Sequence, residues 1–522
     1  MLMRINILSI SFCLISILSL NLFFSCNNNQ QANVAVTNDS SVQQGKRLAA
    51  VYCQSCHMLP DPSLLDKKSW SDGVLPAMGP HLGIFAYGMK TYPAKRNDPN
   101  VSRNYYPSQQ IITFPQWQNI LDYYTTTAPD TLPKQQREKI KQDLDFFTVM
   151  KPSLRYPVPT TCYVKFDTSL NKHTILLCDA LSKKVFRFNK DLSLIDSLKI
   201  SGPVVDFDFK QNELIACDMG NMNPNDAKLG SADIIDLDKN KKMKLSPSPL
   251  FDKLGRPVQI TEADLNKDGK MDFIICEFGN FAGALSWMEN LGNNKFERHV
   301  LRAFPGAIKV YVDDYNHDGL PDIWALFAQG EEGIFLFTNK GNGNFEQRQV
   351  LRFPPVYGSS SFELTDLNND GHPDIIYTCG DNADYSKVLK PYHGVYIYLN
   401  DGKNNFTQKY FFPMDGCYKA IARDFDGDGN IDIAAISYFA DYKNQPEEGF
   451  VYLENKGNFQ FQPHTLAAGE LGRWLTMDVG DLDGDGKPDI ILGNFSIGPS
   501  MMTSSVNWKV NPPFIVLKNI KK

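Results

Sequence analysis

The sequence predicts two folded parts, a small all-α domain followed by a much larger all-β propeller with seven blades. Helical spacing of apolar residues appears before residue 132, and from about residue 156 a carboxylate-rich loop recurs between strand-like segments. With 42% hydrophobic and 12% aromatic residues, the 522-residue chain can bury a large core, which argues against disorder. The formal net charge of −6 argues against nucleic-acid binding, which needs a surplus of cations.

Residues 1–25 have the pattern of an export signal. One charge, Arg4, precedes a long apolar run, and the small residue Ser25 stands before Cys26. A cysteine at the first mature position resembles a bacterial lipobox. The resemblance implies that Cys26 carries a lipid, which alone holds the exported chain at a bacterial membrane, facing the periplasm or the cell surface. An uncleaved membrane helix is the alternative, and residues 26–42 are expected to form a flexible linker.

The residues Cys53-Gln54-Ser55-Cys56-His57 have the C-x-x-C-H pattern of c-type haem attachment. Two thiols on one helical turn can add to the two vinyl groups of haem, and the adjacent imidazole can bind the iron. The alternatives are a disulfide or half of a zinc site, and zinc would need a second ligand pair nearby. We therefore predict one covalent haem c held by Cys53, Cys56 and His57.

The surroundings of this motif resemble a small class I cytochrome c. A short helix is predicted over residues 45–52, and residues 115–124 have the helical apolar spacing of a closing helix. The resemblance implies electron transfer and a distal methionine ligand, because a methionine raises the potential and fills the sixth iron position. Met78, in a loop flanked by proline and glycine, is the first choice, and Met89 and His81 are its rivals.

Five copies of the pattern D-x-[DN]-x-D-G-x-x-D organise the rest of the chain. Their first positions are 50, 52, 58 and 57 residues apart, which is a propeller-blade period. Oxygen ligands at alternate positions can converge on one Ca²⁺ ion, and the glycine permits the tight turn that this needs. We predict about five Ca²⁺ ions. The predicted ligands are Asp264, Asn266, Asp268, Asp272, Asp314, Asn316, Asp318, Asp322, Asp366, Asn368, Asp370, Asp374, Asp424, Asp426, Asp428, Asp432, Asp481, Asp483, Asp485 and Asp489.

Each loop is expected to join the first two strands of a four-stranded blade, because alternating residues precede it and an apolar run follows it. This arrangement resembles the FG-GAP or VCBS repeats of integrin-α-type propellers. Two weaker copies, at 164–188 and 204–218, bring the number of blades to seven, and residues 153–160 are expected to supply the outer strand that closes the ring. The predicted boundaries are 43–132 for the cytochrome c domain, 133–155 for a linker and 156–522 for the propeller.

Long loops between the second and third strands are expected on the face opposite the calcium loops. The inner strands also begin on that face, and near their starts stand several basic residues and one tryptophan. We predict that they form a mouth for an anionic ligand or a docking partner, with solvated rim charges as the alternative. These residues are Arg256, Lys309, Lys419, Arg473 and Trp474.

Six cysteines lie in the predicted propeller. Cys162 and Cys178 flank a predicted strand turn and could form a disulfide in an oxidising compartment. Buried free thiols are the alternative, and the general preference of cysteine for the protein interior favours them.

Three functions fit these patterns. The first is a lipid-anchored electron-transfer protein whose haem serves a redox partner while the propeller docks a ligand or partner. The second is an oxidoreductase whose propeller oxidises a small substrate and passes the electrons to the haem. The third is a binding or adhesion protein with an auxiliary haem. The sequence contains no recognisable catalytic constellation, which counts against the second function, and a propeller fold alone does not decide among them.

Overall fold

The structure is a computed structural model that describes residues 40–167, 173–210, 212–238, 242–498 and 506–521. The predicted export signal and Cys26 lie outside these residues. Within the described ranges, no helix combines the length and the apolar character needed to cross a membrane.

Residues 40–132 contain a few helices and one two-stranded ribbon. The α-helices are Ser41–Tyr52 (α1), Lys67–Ser69 (α2), Leu75–Met78 (α3) and Phe114–Thr127 (α4). The ribbon strands are Ala86–Tyr87 (β1) and Lys90–Thr91 (β2), and single turns of other helix types lie at Pro62–Leu64, Trp70–Val74 and Gly79–Leu82. The two helices predicted at 45–52 and 115–124 are confirmed, whereas most of the chain between them is less regular than an all-α domain.

The two long helices cross at a glycine. A Cβ atom on Gly45 would lie 1.8 Å from the carbonyl oxygen of Asn119, so only glycine lets α1 and α4 approach this closely. The Asn119 side chain donates to Oε1 of Gln44 at 2.9 Å across the same crossing. Around it Trp70, Trp117 and Tyr124 are buried. Aromatic packing of this kind gives a small helical region its core.

Seven antiparallel sheets follow, and we number them as blades 1 to 7. The strands of blades 1 to 3 are Thr161–Asp167 (β4), Thr174–Asp179 (β5), Lys184–Phe188 (β6), Leu194–Lys199 (β7), Val204–Phe209 (β8), Glu213–Asp218 (β9), Gly230–Leu237 (β10), Met243–Leu245 (β11), Phe251–Leu254 (β12), Pro257–Ala263 (β13), Asp272–Glu277 (β14), Ala284–Gly292 (β15) and Lys295–Arg302 (β16). The strands of blades 4 to 7 are Ala307–Asp313 (β17), Asp322–Phe327 (β18), Gly333–Asn339 (β19), Phe345–Arg352 (β20), Ser359–Thr365 (β21), Asp374–Cys379 (β22), Gly394–Asn400 (β23), Phe406–Pro413 (β24), Cys417–Arg423 (β25), Asp432–Ser437 (β26), Phe450–Asn455 (β27), Phe461–His464 (β28), Trp474–Gly480 (β29), Asp489–Asn494 (β30) and Phe514–Asn519 (β31), with Phe147–Met150 (β3) completing blade 7.

The blades close into a ring, which confirms the predicted seven-bladed β-propeller. The first strand of each blade contacts the first strand of the next, including β29 of blade 7 with β4 of blade 1. Second strands such as β14 and β18 are buried along their whole length, because neighbouring blades cover both of their faces. Fourth strands such as β16 alternate between exposed and half-buried residues and form the rim.

The strand that closes the ring is not the predicted one. β3 pairs with β31 in blade 7, so residues 147–150 supply the outer strand and the prediction of residues 153–160 is wrong. Residues 153–160 include the prolines at 157 and 159, and proline is depleted in strands. Residues 147–150 are β-branched or aromatic apart from Met150, and such residues favour strands.

The segment 133–155, predicted as a linker, instead packs against blades 6 and 7 and is bound to them by ion pairs and backbone pairing. Arg137 forms a buried ion pair with Glu448, whose Oε1 lies 2.5 Å from Nη1. Asp143 binds Nδ1 of His464 at 2.6 Å, and Lys141 pairs with the same histidine through the backbone. These contacts and β3 make the segment part of the propeller, because a solvated linker would leave the edge of β31 unpaired.

Candidate calcium loops and haem site

The five carboxylate loops share one backbone geometry. In each, the glycine at the sixth position donates its N–H to the aspartate at the first position, over 2.8 to 3.0 Å. All five of these glycines have φ between 82° and 89°, the left-handed region that favours glycine. They are Gly269, Gly319, Gly371, Gly429 and Gly486. The tight turn predicted at this position is confirmed.

The loops of blades 6 and 7 gather carboxylates closely enough to share a cation. Asp424, Asp426 and Asp432 each place a carboxylate oxygen within 4.8 Å of the other two. The first, third and ninth positions of the blade 7 loop do the same, and there Oδ1 of Asp483 is buried without a hydrogen-bond partner among the described residues. An all-oxygen donor set with an unsatisfied buried carboxylate oxygen fits Ca²⁺, a hard cation.

In the loops of blades 3 to 5 an asparagine stands at the third position. Asp264 and Asn266 both accept the N–H of Asp268, at 3.1 Å each, so their side-chain oxygens lie together. The equivalent side chains in the other two loops accept the equivalent N–H groups. The Oδ1 atom of the fifth-position aspartate accepts the N–H two residues later in all five loops, over 2.7 to 3.0 Å. These bonds hold the predicted ligands in one small loop.

The aspartate at the ninth position closes each loop, and we call these five residues the closing aspartates. They are buried and connect neighbouring strands. Each is at most 1% exposed, and its Oδ1 accepts the N–H of an asparagine at or near the end of the third strand, over 2.7 or 2.8 Å. Burial raises the pKa of all five, in Asp432 and Asp489 to about 6. A bound cation would favour their ionised form.

The partner asparagines are functional residues that the loop pattern D-x-[DN]-x-D-G-x-x-D does not include. Their Oδ1 atoms accept the N–H two residues later, and their Nδ2 atoms donate to the carbonyl that precedes the closing aspartate. Each therefore ties the third strand to the calcium loop. A recurring Asn-x-Gly at the third strand of blades 3 to 6 was the available signal. The five residues are Asn290, Asn339, Asn400, Asn455 and Asn519.

The predicted haem-attachment residues lie at the end of α1. Cys53 continues the helix with its N–H bonded to the carbonyl of Ala49, and both Cys53 and Cys56 are free thiols. Nδ1 of His57 lies 2.8 Å from the carbonyl oxygen of Met58. If Nδ1 carries the proton and donates to this carbonyl, Nε2 is left as an acceptor, and it has no hydrogen-bond partner among the described residues. Two free thiols beside an imidazole with an open Nε2 are the donor set that covalent haem attachment requires.

The three candidates for the distal ligand differ in exposure. Met89 lies in the turn of the β1–β2 ribbon and is fully exposed, so it is the least shielded of the three. Met78 ends α3 and is half-buried, and His81 follows in the next turn. The ring of His81 packs against those of Tyr105 and Tyr106, with centroids 5.5 and 5.3 Å apart. Burial and the charge of His57 both lower the pKa of His81.

The helical region packs on the face of the propeller that carries the loops between second and third strands. Tyr105 contacts Phe281 of such a loop, with ring centroids 5.1 Å apart. The Tyr392 hydroxyl, from the equivalent loop of blade 5, donates to the carbonyl of Leu64 at 3.0 Å. A Cβ atom on Gly73 would lie 2.0 Å from the carbonyl oxygen of Tyr385. The helical region that contains the motif at 53–57 is therefore held against the propeller.

The propeller also reaches His57 electrostatically. Burial is the largest cause that lowers the pKa of His57, and the positive charge of Arg352 lowers it further while Glu331 opposes this effect. Glu331 itself binds Arg302 at 2.7 Å and Arg352 at 3.6 Å. An arginine–glutamate cluster of blade 4 thus acts on the imidazole of the C-x-x-C-H motif.

The five residues predicted to form a basic mouth do not share a surface. Arg473 is 2% exposed, with Nε donating to the carbonyl of Tyr438, and Trp474 is completely buried. Arg256 binds the carbonyl of Met222 and lies over the ring of Phe278, so it too packs within the protein. Only Lys309 and Lys419 line an open space, the cavity at the hub of the propeller. The prediction of one shared mouth is wrong, because β-sheet alternation sends the neighbouring side chains into the blades.

Cys162 and Cys178 are both buried free thiols. Sγ of Cys162 lies 3.5 Å from the carbonyl oxygen of Cys178 and 3.3 Å from that of Val204. The two thiols therefore lie in the core between blades 1 and 2 as buried free thiols, which is the alternative to a disulfide.

Comparisons with known proteins agree with this architecture. A family described as FG-GAP-like repeat matches residues 264–325, 314–377 and 424–492. The chain is 25% identical over 243 residues to a T-cell immunomodulatory protein homolog of Plasmodium falciparum (isolate 3D7), covering 38% of this chain and 33% of that protein. It is 27% identical over 187 residues to integrin alpha-3 of Cricetulus griseus, covering 31% of this chain and 17% of that protein. It is 26% identical over 215 residues to integrin alpha pat-2 of Caenorhabditis briggsae, covering 35% of this chain and 17% of that protein.

The family match falls on the part of the chain that folds as blades 3 to 7. The chain spans a third or less of the length of each of these relatives. The matched segments contain the carboxylate loops of blades 3, 4, 5, 6 and 7. The chain thus carries FG-GAP-like repeats, similar to those of integrin α chains, in a seven-bladed β-propeller.

Proposed function

We propose that this chain is an exported, lipid-anchored c-type cytochrome that transfers electrons, and that its calcium-stabilised propeller binds the redox partner or ligand. The observation that carries the proposal is the group formed by Cys53, Cys56 and His57, with both thiols free and an imidazole nitrogen unbonded. A haem bound there would supply a one-electron carrier. The proposed domains are a cytochrome c domain at 43–132 and a propeller from residue 156, with the outer strand contributed by β3.

The protein's own residues would hold and shield this group. The Cys53 and Cys56 thiols form the covalent links, and the hydrogen bond of His57 to Met58 fixes the orientation of the proximal imidazole. Met78 is the proposed distal ligand and His81 is the alternative. The loops of the propeller at Phe281 and Tyr392 cover the helical region and limit the access of water. Electron exchange tolerates such shielding because it needs no substrate to reach the iron.

The propeller supports a binding role. Its repeats are similar to those of integrin α chains, and the long loops between second and third strands are the segments on which binding function tends to lie. Several of these loops already hold the helical region, so a partner that docks beside it approaches the proposed haem. The lipid at Cys26 is proposed to keep both domains at the membrane. An adhesion protein with an auxiliary haem is the second candidate, and the integrin similarity is what favours it.

A redox titration combined with a substrate screen tests this function. We expect the haem of the purified full chain to be reduced and reoxidised reversibly by small mediators and by a small redox protein. Alcohols, sugars, organic acids and inorganic donors, supplied singly at millimolar concentration, are expected to leave it oxidised, because no catalytic constellation accompanies it. Substrate-dependent haem reduction by the pure protein would establish the oxidoreductase instead. A haem that does not cycle with mediators would exclude electron transfer and leave the adhesion role.

A further inference from the structure

The hub of the propeller has a construction that the proposed function does not use. The pairing register shifts between the first and third residues of all seven inner strands. Bulges of this kind re-aim a side chain, and they concentrate near functional sites. Here they set seven third-position residues at one level of the ring. These residues are Tyr163, Asp206, Gln259, Lys309, Ser361, Lys419 and Thr476.

Six of the seven third-position residues line one cavity of about 230 Å³, and Ser361 is the exception. Its charged lining comprises three lysines and two aspartates. Lys165 and Asp478 form an ion pair at 3.2 Å, and Asp478 also accepts the N–H of Phe166 at 2.9 Å. That pair is satisfied within the protein, which leaves Lys309, Lys419 and Asp206 as the charges that a ligand would meet.

The three remaining charged side chains differ in the hydrogen bonds that they form within the protein. Lys419 donates to the carbonyl of Met477 at 2.8 Å, and Oδ2 of Asp206 accepts the N–H of Ile260 at 3.1 Å. The ammonium of Lys309 has no hydrogen bond or ion pair with any described residue, and its nearest aromatic ring, that of Tyr311, is centred 5.1 Å away. Lys309 and Lys419 stand on blades 4 and 6, on either side of the small Ser361 of blade 5, whereas Asp206 stands on blade 2.

We propose that the hub cavity binds one compact oxyanion, a carboxylate or a tetrahedral anion such as phosphate, between Lys309 and Lys419. Both lysines have donor hydrogens to spare, and charge-assisted bonds to an oxyanion are stronger than neutral ones. The surplus positive charge of the cavity favours an anion over a cation. This inference is independent of the haem, because Lys309, Lys419 and Asp206 have no hydrogen bond, ion pair or ring contact with the described residues of the helical region.

The affinity for the oxyanion should depend on pH in a defined way. Burial lowers the pKa of Lys419 to about 8. The positive charges of Lys309 and Lys165 lower this pKa further, and the negative charges of Asp478 and Glu363 raise it. Burial raises the pKa of Asp206 to about 6. The negative charge of Asp208 also raises this pKa, whereas the positive charges of Lys309 and Lys165 lower it. Affinity for an anion of constant charge should therefore fall as Asp206 ionises near pH 6 and fall again as Lys419 loses its proton near pH 8.

Calorimetric titration of the full chain with sodium sulfate, at constant ionic strength, tests the proposal, and acetate as a second probe separates tetrahedral from carboxylate ligands. Sulfate is the primary probe because its charge is constant over this pH range. Saturable binding of sulfate or acetate is expected, with an affinity about tenfold or more lower in Lys309→Gln. Lys295→Gln, which removes an exposed rim lysine, is the matched control and should bind as the unmodified chain does.

The variant Asp206→Asn distinguishes loss of the anion site from misfolding, because its affinity for sulfate is expected to rise. Removing this negative charge should tighten sulfate binding severalfold, and a misfolded variant cannot bind more tightly. The proposal is overturned if neither anion gives saturable heat, if Lys309→Gln binds as well as the unmodified chain, or if Lys295→Gln loses as much affinity as Lys309→Gln. None of these results bears on the haem, so the proposed function stands or falls separately.

Discussion

Removal of calcium is expected to lower the melting temperature of the propeller by at least about 10 °C while the haem stays attached. Each bound ion at a hundredfold excess over its Kd stabilises the folded state by about 2.7 kcal/mol, and five loops bind in parallel. Without the ions, the gathered carboxylates of blades 6 and 7 repel one another. Thioether links do not depend on calcium. Differential scanning calorimetry with and without EDTA measures the first effect, and the visible spectrum measures the second.

Two substitutions at one position sharpen this test. Asp483→Ala removes a carboxylate that lies in the gathered group of blade 7, so the number of bound ions, counted by elemental analysis, should fall from about five to about four. Asp483→Asn is the matched control and should keep the ion, because asparagine stands at the equivalent position in the loops of blades 3 to 5. Readdition of Ca²⁺ should restore the melting temperature where Mg²⁺ does not. Melting that is indifferent to EDTA would refute the calcium assignment.

Replacing both motif cysteines by serine is expected to abolish covalent haem attachment completely. Serine hydroxyls cannot form the thioether links, so Cys53→Ser/Cys56→Ser should show no haem after denaturation and acid–acetone extraction. The propeller should keep its calcium and its melting temperature, because these residues lie outside the blades. Haem staining of a denaturing gel gives the readout.

Ser55→Ala is the matched control for this pair of substitutions. It lies between the two cysteines, and its hydroxyl donates only to the carbonyl of Tyr52 at 2.7 Å apart from a weak contact with Cys56. It should carry haem as the unmodified chain does. Haem that remains covalently bound in the double variant would show that these thiols are not the attachment site.

The parts of the fold that were predictable are those fixed by local chemistry. Each calcium loop needs its carboxylates and its glycine within nine residues, so five loops and the blade period could be recognised in the sequence alone. Gly269 and its four equivalents then had to adopt positive φ. The helices at 45–52 and 115–124 were visible for the same reason, because helical spacing of apolar residues is a local pattern.

The parts that were mispredicted depend on contacts distant in sequence. The outer strand of blade 7 comes from residues 147–150, which lie more than 350 positions from β31, and no local pattern selects them over 153–160. The position of Arg473 after a glycine and before an inner strand predicts a place at a mouth, yet the residue is buried beneath Tyr438. The closing-aspartate partners such as Asn400 were recognisable only by aligning the blades with one another.

The most direct test of the central claim is the haem content of the full chain produced in a host that attaches c-type haem. Intact-protein mass spectrometry and the pyridine haemochrome spectrum together count covalent haem and identify its attachment. One thioether-linked haem per chain, lost on substitution of Cys53 and Cys56, is the predicted result. A chain that leaves such a host with both thiols free, joined in a disulfide or bound to zinc would contradict the account.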